Sequence, residues 1–199
     1  MSDTRRRIVA EAMALCLAGG YSATSLRMIA DRIGITQAAV YYHFRAKDDL
    51  LPELLNPLFK AFDEVLGEAE ERARRERAVD QRALFGALFD RLRDHRDALR
   101  LSLGDVTVRQ HPLYAPSIAR TSARCQKLLA GPGDPLGATL ADAALGVLTG
   151  AASTLPGRQL DQAREVLLDA AIRVLNTPRP SPRSRRLPVV GTPKLPLVG

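Results

Sequence analysis

A chain of 199 residues with 46% hydrophobic side chains can bury a core and can form one domain or two small ones. Its 14 glycines and 13 prolines are too few to mark the whole chain as disordered, and charge interrupts the apolar runs, so no bilayer-spanning segment of about 18–20 residues is expected. The formal charge of +7 suggests a nucleic-acid partner, but Arg179, Arg183, Arg185, Arg186 and Lys194 place five bases in residues 177–199, leaving only 24 bases against 22 acids elsewhere.

The opening MSDTRRRIVAEA is broken by acids and arginines, unlike a secretion signal, and the cytoplasm is the expected compartment. A first helix is predicted over residues 4–18, with Ile8, Val9, Ala12, Met13 and Cys16 on one face, and Gly19-Gly20 ends it. The two cysteines, Cys16 and Cys125, lie on apolar helical patterns far apart in sequence, which fits buried thiols rather than a metal site.

Two short helices follow within TSLRMIADRIGITQAAVYYHFRAK, residues 24–47. Ser25 can cap a helix over residues 26–33, whose Leu26, Ile29, Ala30 and Ile33 recur at core spacing. Gly34 supplies a positive φ for the turn, and Thr36 caps a second helix over 37–44. Ile35 and Val40 stand at the staple positions around that cap.

A long helix is predicted from residue 47 to about 75, with an apolar stripe of Leu50, Leu51, Leu54, Leu58, Phe62, Val65 and Leu66. Pro52 and Pro57 interrupt it, and a bend between residues 48 and 57 is expected. Leu84, Phe85, Leu88, Phe89 and Leu92 mark a further helix, followed by helices over 97–109 and 113–130. After a GPGDP loop, Asp134 can cap a small-residue helix running from Pro135 to Ala152. The last helix runs from Leu160 to Leu175, with Ala163, Leu167, Ala170, Ala171 and Val174 inward. The closing TPRPSPRSRRLPVVGTPKLPLVG reads as a disordered basic tail that adds non-specific phosphate attraction or is simply solvated.

The helix over residues 37–44 carries the chemistry. Val40 and Phe44, four apart, face inward, which leaves Gln37, Ala38, Ala39, Tyr41, Tyr42 and His43 outward or lateral. Glutamine can pair with adenine, alanine methyls can touch thymine methyls, and tyrosine hydroxyls suit phosphate oxygens. Tyr41 could instead pack under the helix, and Arg27 could pair with Asp31 one turn on. No phosphate loop, HExxH, GxSxG or metal-spaced Cys/His set occurs, so no enzyme activity and no cofactor are expected.

TSLRMIADRIGITQAAVYYHFRAKDDL resembles the DNA-binding signature of the tetracycline-repressor (TetR) family, over about residues 5–55. The resemblance implies an all-α homodimer, with an N-terminal three-helix helix-turn-helix domain at 1–47, a larger helical domain at 48–176 that binds a ligand and dimerises, and the tail at 177–199. It implies that Arg27, Thr36, Gln37, Ala38, Ala39, Tyr41, Tyr42, His43 and Lys47 meet double-stranded DNA at a palindromic operator, Lys47 as a phosphate anchor. It also implies an unknown small-molecule effector, for which Phe59, Phe62, Phe85, Phe89, Leu103, Tyr114, Ile118 and Cys125 are candidate wall residues, with His95 and His111 expected at the surface. Dimerisation is expected through the helices beginning at Pro135 and Leu160, and release of DNA through a tilt of the Pro52/Pro57 helix. Ala46 departs from the family pattern where a Ser or Thr often caps the long helix. An effector-independent, largely non-specific nucleoid-type binder is the competing reading.

Overall fold

The computed structural model describes residues 3–130 and 133–178; the expectations for Gly131 and for a disordered tail from residue 179 onward lie outside the described residues. Among those residues all regular secondary structure is helical, without a strand. Helix α1 (Asp3–Gly19) buries Ile8, Ala12 and Cys16, one turn apart, and ends where Gly20 adopts φ +88°. Helix α2 (Leu26–Ile33) starts at Ser25, whose hydroxyl accepts from the Met28 N–H at 3.2 Å, and ends at Gly34 with φ +70°. Helix α3 (Gln37–His43) begins at Thr36, whose hydroxyl accepts from the Ala39 N–H at 3.2 Å. Each cap satisfies an amide that would otherwise lack a partner. Replacing Ser25 with alanine should therefore lower stability by about 1 kcal/mol, read from the urea midpoint.

After a single 3₁₀ turn (Lys47–Asp49), helix α4 (Leu50–Glu76) runs unbroken across both prolines. Pro52 falls in the first turn, where its missing N–H has no intrahelical acceptor, so it does not interrupt the helix as expected. Pro57 is the one interior proline. The missing hydroxyl at Ala46 is compensated from the other side: the Ala46 N–H donates to Asp49 Oδ2 at 2.8 Å.

Helix α5 (Gln81–Asp94) is capped by Asp80 and contributes Phe85 and Phe89, both fully buried. The helix expected over 97–109 is broken into α6 (Arg96–Gly104) and α7 (Val106–Arg109). The break has a local cause. Asp105 leaves helical geometry and accepts from the N–H groups of Thr107 (2.9 Å) and Val108 (3.2 Å), capping the second piece. Helix α8 (Ala115–Ala130) follows a turn at residues 111–114. Helix α9 (Pro135–Thr154) is capped by Asp134 as its sequence indicated, and α10 (Gly157–Leu175) closes the fold.

Helices α1–α3 form a small N-terminal unit against the start of α4, and α4–α10 form the larger one, in which α9 packs on α8 and α10 while α6 reaches back to α1. The α10 stripe is rotated from expectation. Leu160, Leu168, Ala171 and Leu175 are buried, whereas Ala163, Leu167, Ala170 and Val174 lie at its half-buried margin. Helix α9, with Asp142 as its sole charge, has a mean hydropathy of 1.3 with only 28% of its apolar stretch buried. It thus reaches the length and apolarity that charge interruptions were expected to prevent, because alanines, leucines and a valine raise the mean and only one charge opposes them. Together with Val166 of α10, 66% exposed, it presents apolar surface that the other described residues do not cover.

Candidate nucleic-acid interface and effector cavity

The inner side of α3 is fixed by Val40 and Phe44, which are 0% and 1% exposed. The Arg5 guanidinium lies 4.4 Å above the Phe44 ring, donates to the His43 carbonyl at 3.2 Å and pairs with Glu53 at 2.8 Å. One arginine of α1 therefore ties the end of α3 to α4. With its inner face held, α3 turns Gln37, Ala38, Tyr41 and Tyr42 to solvent; Tyr42 is 86% exposed, and the packed alternative for Tyr41 does not hold at 46%. Ala39 and His43 are half-buried, the His43 ring standing edge-on to Tyr42 at 5.1 Å.

Arg27 projects from α2 beside Asp31 at 3.8 Å, with both side chains more than 70% exposed, a pair too solvated to hold the guanidinium in place. The Thr36 hydroxyl is committed to its cap, so its first role is to start α3. Met28 and Arg45, both exposed beside this face, were not anticipated; Arg45 directly follows the aromatic run, and that adjacency was the available signal.

Lys47 does not project outward. Its ammonium group donates to the carbonyls of Tyr21 (3.1 Å) and Ser22 (3.3 Å) and sits 4.4 Å from the centre of the Tyr21 ring. A neighbouring ring and two carbonyls provide a cation site that outcompetes open solvent. Lys47 thus ties the α1–α2 loop to the start of the long helix, in place of the free phosphate anchor expected from the resemblance.

Tyr21 is the centre of the junction between the two units. Its hydroxyl donates to Asp48 Oδ1 at 2.5 Å, and its N–H donates to Asp105 Oδ2 at 2.6 Å. Ser22 shares a hydrogen bond with Thr107 at 2.9 Å, and His111 Nε2 lies 3.5 Å from Asp48 Oδ2. His111, expected at the surface, is only 15% exposed at its side chain, while His95 is half-buried at the α5–α6 corner. Burial and the Asp48 hydrogen bond push the Tyr21 phenol far up, and the same bond, with His111, holds Asp48 below the usual aspartate range. Burial opposes ionisation of Asp105, but the N–H groups of Tyr21, Val108 and Thr107 outweigh it and lower its pKa. Because both aspartates are depressed in the fold, their stabilisation is present above the ordinary aspartate pKa and is lost as pH falls through the lowered values. Stability should accordingly drop below about pH 4, and Asp48→Asn should flatten that drop in unfolding midpoints measured from pH 3 to 7.

Between α4, α5, α6, α8 and α9 lies a cavity of about 260 Å³. Of the eight candidate wall residues, Phe59, Phe62, Leu103, Ile118 and Cys125 line it together. Phe85 and Phe89 do not: both point into the closed core at 0% exposure, because the buried face of α5 meets α10 and α9 behind them. Tyr114 stands one layer back, stacked on Phe59 at 5.8 Å with its hydroxyl 3.3 Å from Asn56 Oδ1. Burial raises the Cys125 thiol to about 12, so it serves as a neutral apolar wall. Segment 103–109 joins cavity to junction, since Leu103 and Arg109 line the first while Asp105 and Thr107 hold the second.

Residues 8–54 match the family described as "Bacterial regulatory proteins, tetR family". Over 52 residues the chain is 42% identical to the HTH-type transcriptional regulator AcrR of Shigella flexneri, a stretch covering 26% of this chain and 24% of that protein. It is 26% identical over 111 residues to the uncharacterized HTH-type transcriptional regulator YerO of Bacillus subtilis, covering 52% and 36% of the two chains. The matched stretches thus span little more than a third, at most, of these curated relatives. Across the whole fold, the chain resembles the crystal structure of AmtR from Mycobacterium smegmatis, with a TM-score of 0.63, 25% identity, and 90% and 89% of the two chains covered.

Proposed function

We propose that this chain, whose residues 8–54 match the tetR family of bacterial regulatory proteins, is a transcriptional regulator of that family that binds a palindromic operator as a homodimer and releases it when a small effector enters the larger domain. The observation that carries the reading is the asymmetry of α3. Its inner face is locked by Val40, Phe44 and Arg5, while Gln37, Ala38, Tyr41 and Tyr42 are presented on a rigid, solvent-facing surface. Such a surface suits direct readout in a major groove, with Gln37 as the principal hydrogen-bonding base reader and Arg27, Ala39, His43 and Arg45 at its margins. Residues 1–47 form the reading domain and 48–176 the effector and dimerisation domain.

Dimerisation is assigned to the uncovered apolar surface of α9 and α10, where the half-buried Leu167, Ala170 and Val174 would pack on their symmetry mates. Val166→Glu should then shift the protein towards monomer in light scattering, without loss of helicity, and weaken operator binding at least tenfold. An unchanged dimer would place the interface elsewhere. Effector entry is taken to displace segment 103–109, which bears on both the cavity wall and the Tyr21 junction. The unbroken α4, with its single interior proline, carries the same displacement as a tilt.

The test uses DNA fragments selected from genomic DNA by the purified protein. Tyr42→Ala and Gln37→Ala should each weaken binding by about 1–3 kcal/mol, or roughly 5- to 150-fold, at unchanged stability, with Gln37→Ala relaxing sequence preference. Binding that is uniform across sequences and collapses with salt would instead support the nucleoid-type reading.

A further inference from the structure

Resting on the regulator reading above, we propose that the cavity takes an amphipathic monocarboxylate, with its apolar body among Phe59, Phe62, Leu99, Ile118 and Leu145 and its carboxylate on Arg109 at the rim. The interior of the cavity is aliphatic and aromatic, and most of its polar groups are already committed. Ser102 donates to the Leu99 carbonyl at 2.9 Å, Thr149 to the Leu145 carbonyl at 3.0 Å, and Ser122 to Asp142 at 3.2 Å. Asp142 also accepts from Gln126 at 2.8 Å, so its charge is held on the α8–α9 side.

Arg109 differs. It is exposed, and among the described residues none pairs with its guanidinium or accepts a hydrogen bond from that group, although Val108 is buried in the core and Leu103 lines the wall. A guanidinium brings a planar fork of donors that matches a carboxylate bidentately. A neutral head would desolvate that charge without pairing it, and an ammonium head would be repelled. Asp142 orients the guest, because an anion avoids that side and settles at Arg109. A volume of about 260 Å³, at roughly 30 Å³ for each water-sized group, holds on the order of eight to ten carbons.

The experiment titrates the full-length protein with octanoate, 1-octanol and octylamine by calorimetry, and follows release of selected DNA in parallel. Octanoate is expected to bind at least tenfold more tightly than 1-octanol, with octylamine weakest. Arg109→Gln should abolish the preference for octanoate while leaving 1-octanol unchanged, and Arg109→Lys should restore part of it. Equal binding of octanol and octanoate, preference for the amine, an unaffected Arg109→Gln, or no binding by any probe overturns the proposal. Octanoate that binds through Arg109 but leaves DNA bound supports the site and counts against the effector-release reading alone.

Discussion

Phe44→Ala is expected to lower the free energy of unfolding by about 3–5 kcal/mol and to abolish sequence-selective DNA binding. Phe44 is 1% exposed and stands at the C-terminal cap of α3, where its ring packs beneath the Arg5 guanidinium. Truncation removes the buried ring, leaves a cavity, and takes away the surface that holds Arg5 in place to donate to His43 and pair with Glu53. A loss of that size is a large part of the roughly 5–15 kcal/mol that holds a domain folded. Phe44→Leu should recover more than half of the loss, since it refills most of the volume. Urea unfolding monitored by circular dichroism, alongside anisotropy on selected DNA, checks both halves. Wild-type stability in Phe44→Ala would show that α3 is not held from below as described.

Asp105→Ala is expected to cost about 2–4 kcal/mol, combining the loss of a helix cap (about 1 kcal/mol) with the orphaning of a part-buried backbone N–H (about 1–3 kcal/mol). Its carboxylate caps α7 through Thr107 and Val108, and reaches Tyr21 N–H across 84 residues of sequence. The functional consequence follows from that reach. Without it, segment 103–109 keeps only the exposed Ser22–Thr107 hydrogen bond to the Tyr21 loop, so release of DNA by an effector should be blunted even where DNA binding survives. Asp105→Asn keeps one acceptor oxygen, which can serve the α7 cap or the Tyr21 N–H but not both, so it should recover part of the stability and leave the response blunted. An Asp105→Ala protein that still releases DNA normally would assign the coupling to α4 or to the Ser22–Thr107 hydrogen bond.

Much of the N-terminal unit was readable because its determinants are local. A cap at Ser25, a glycine at 34, a cap at Thr36 and the four-residue spacing of Val40 and Phe44 each act within one helical turn. The outward disposition of Tyr42 and Gln37 follows from the same spacing. Asp134 capping a helix that starts at Pro135 is equally local. The helix expected over residues 97–109 breaks at Asp105: its apolar period continues through Gly104, but Asp105 gains more from capping α7 and bonding Tyr21 than from staying helical. Phe85 and Phe89 show the same limit, since amphipathic spacing names the buried face of a helix and not which neighbour it meets.

By itself, the sequence determined the all-helical architecture, the helix-turn-helix and the side chains its second helix turns to solvent, because those depend on contacts between residues fewer than five positions apart. Only the tertiary structure decided that Lys47 turns inward to the Tyr21 loop, that His111 closes on Asp48, and that the cavity is walled by five of the eight expected residues. It also decided that α9 and α10 retain uncovered apolar surface. Those outcomes depend on which long-range partner is near enough to compete with water for a charge or a ring, and residue spacing along the chain carries no record of that distance.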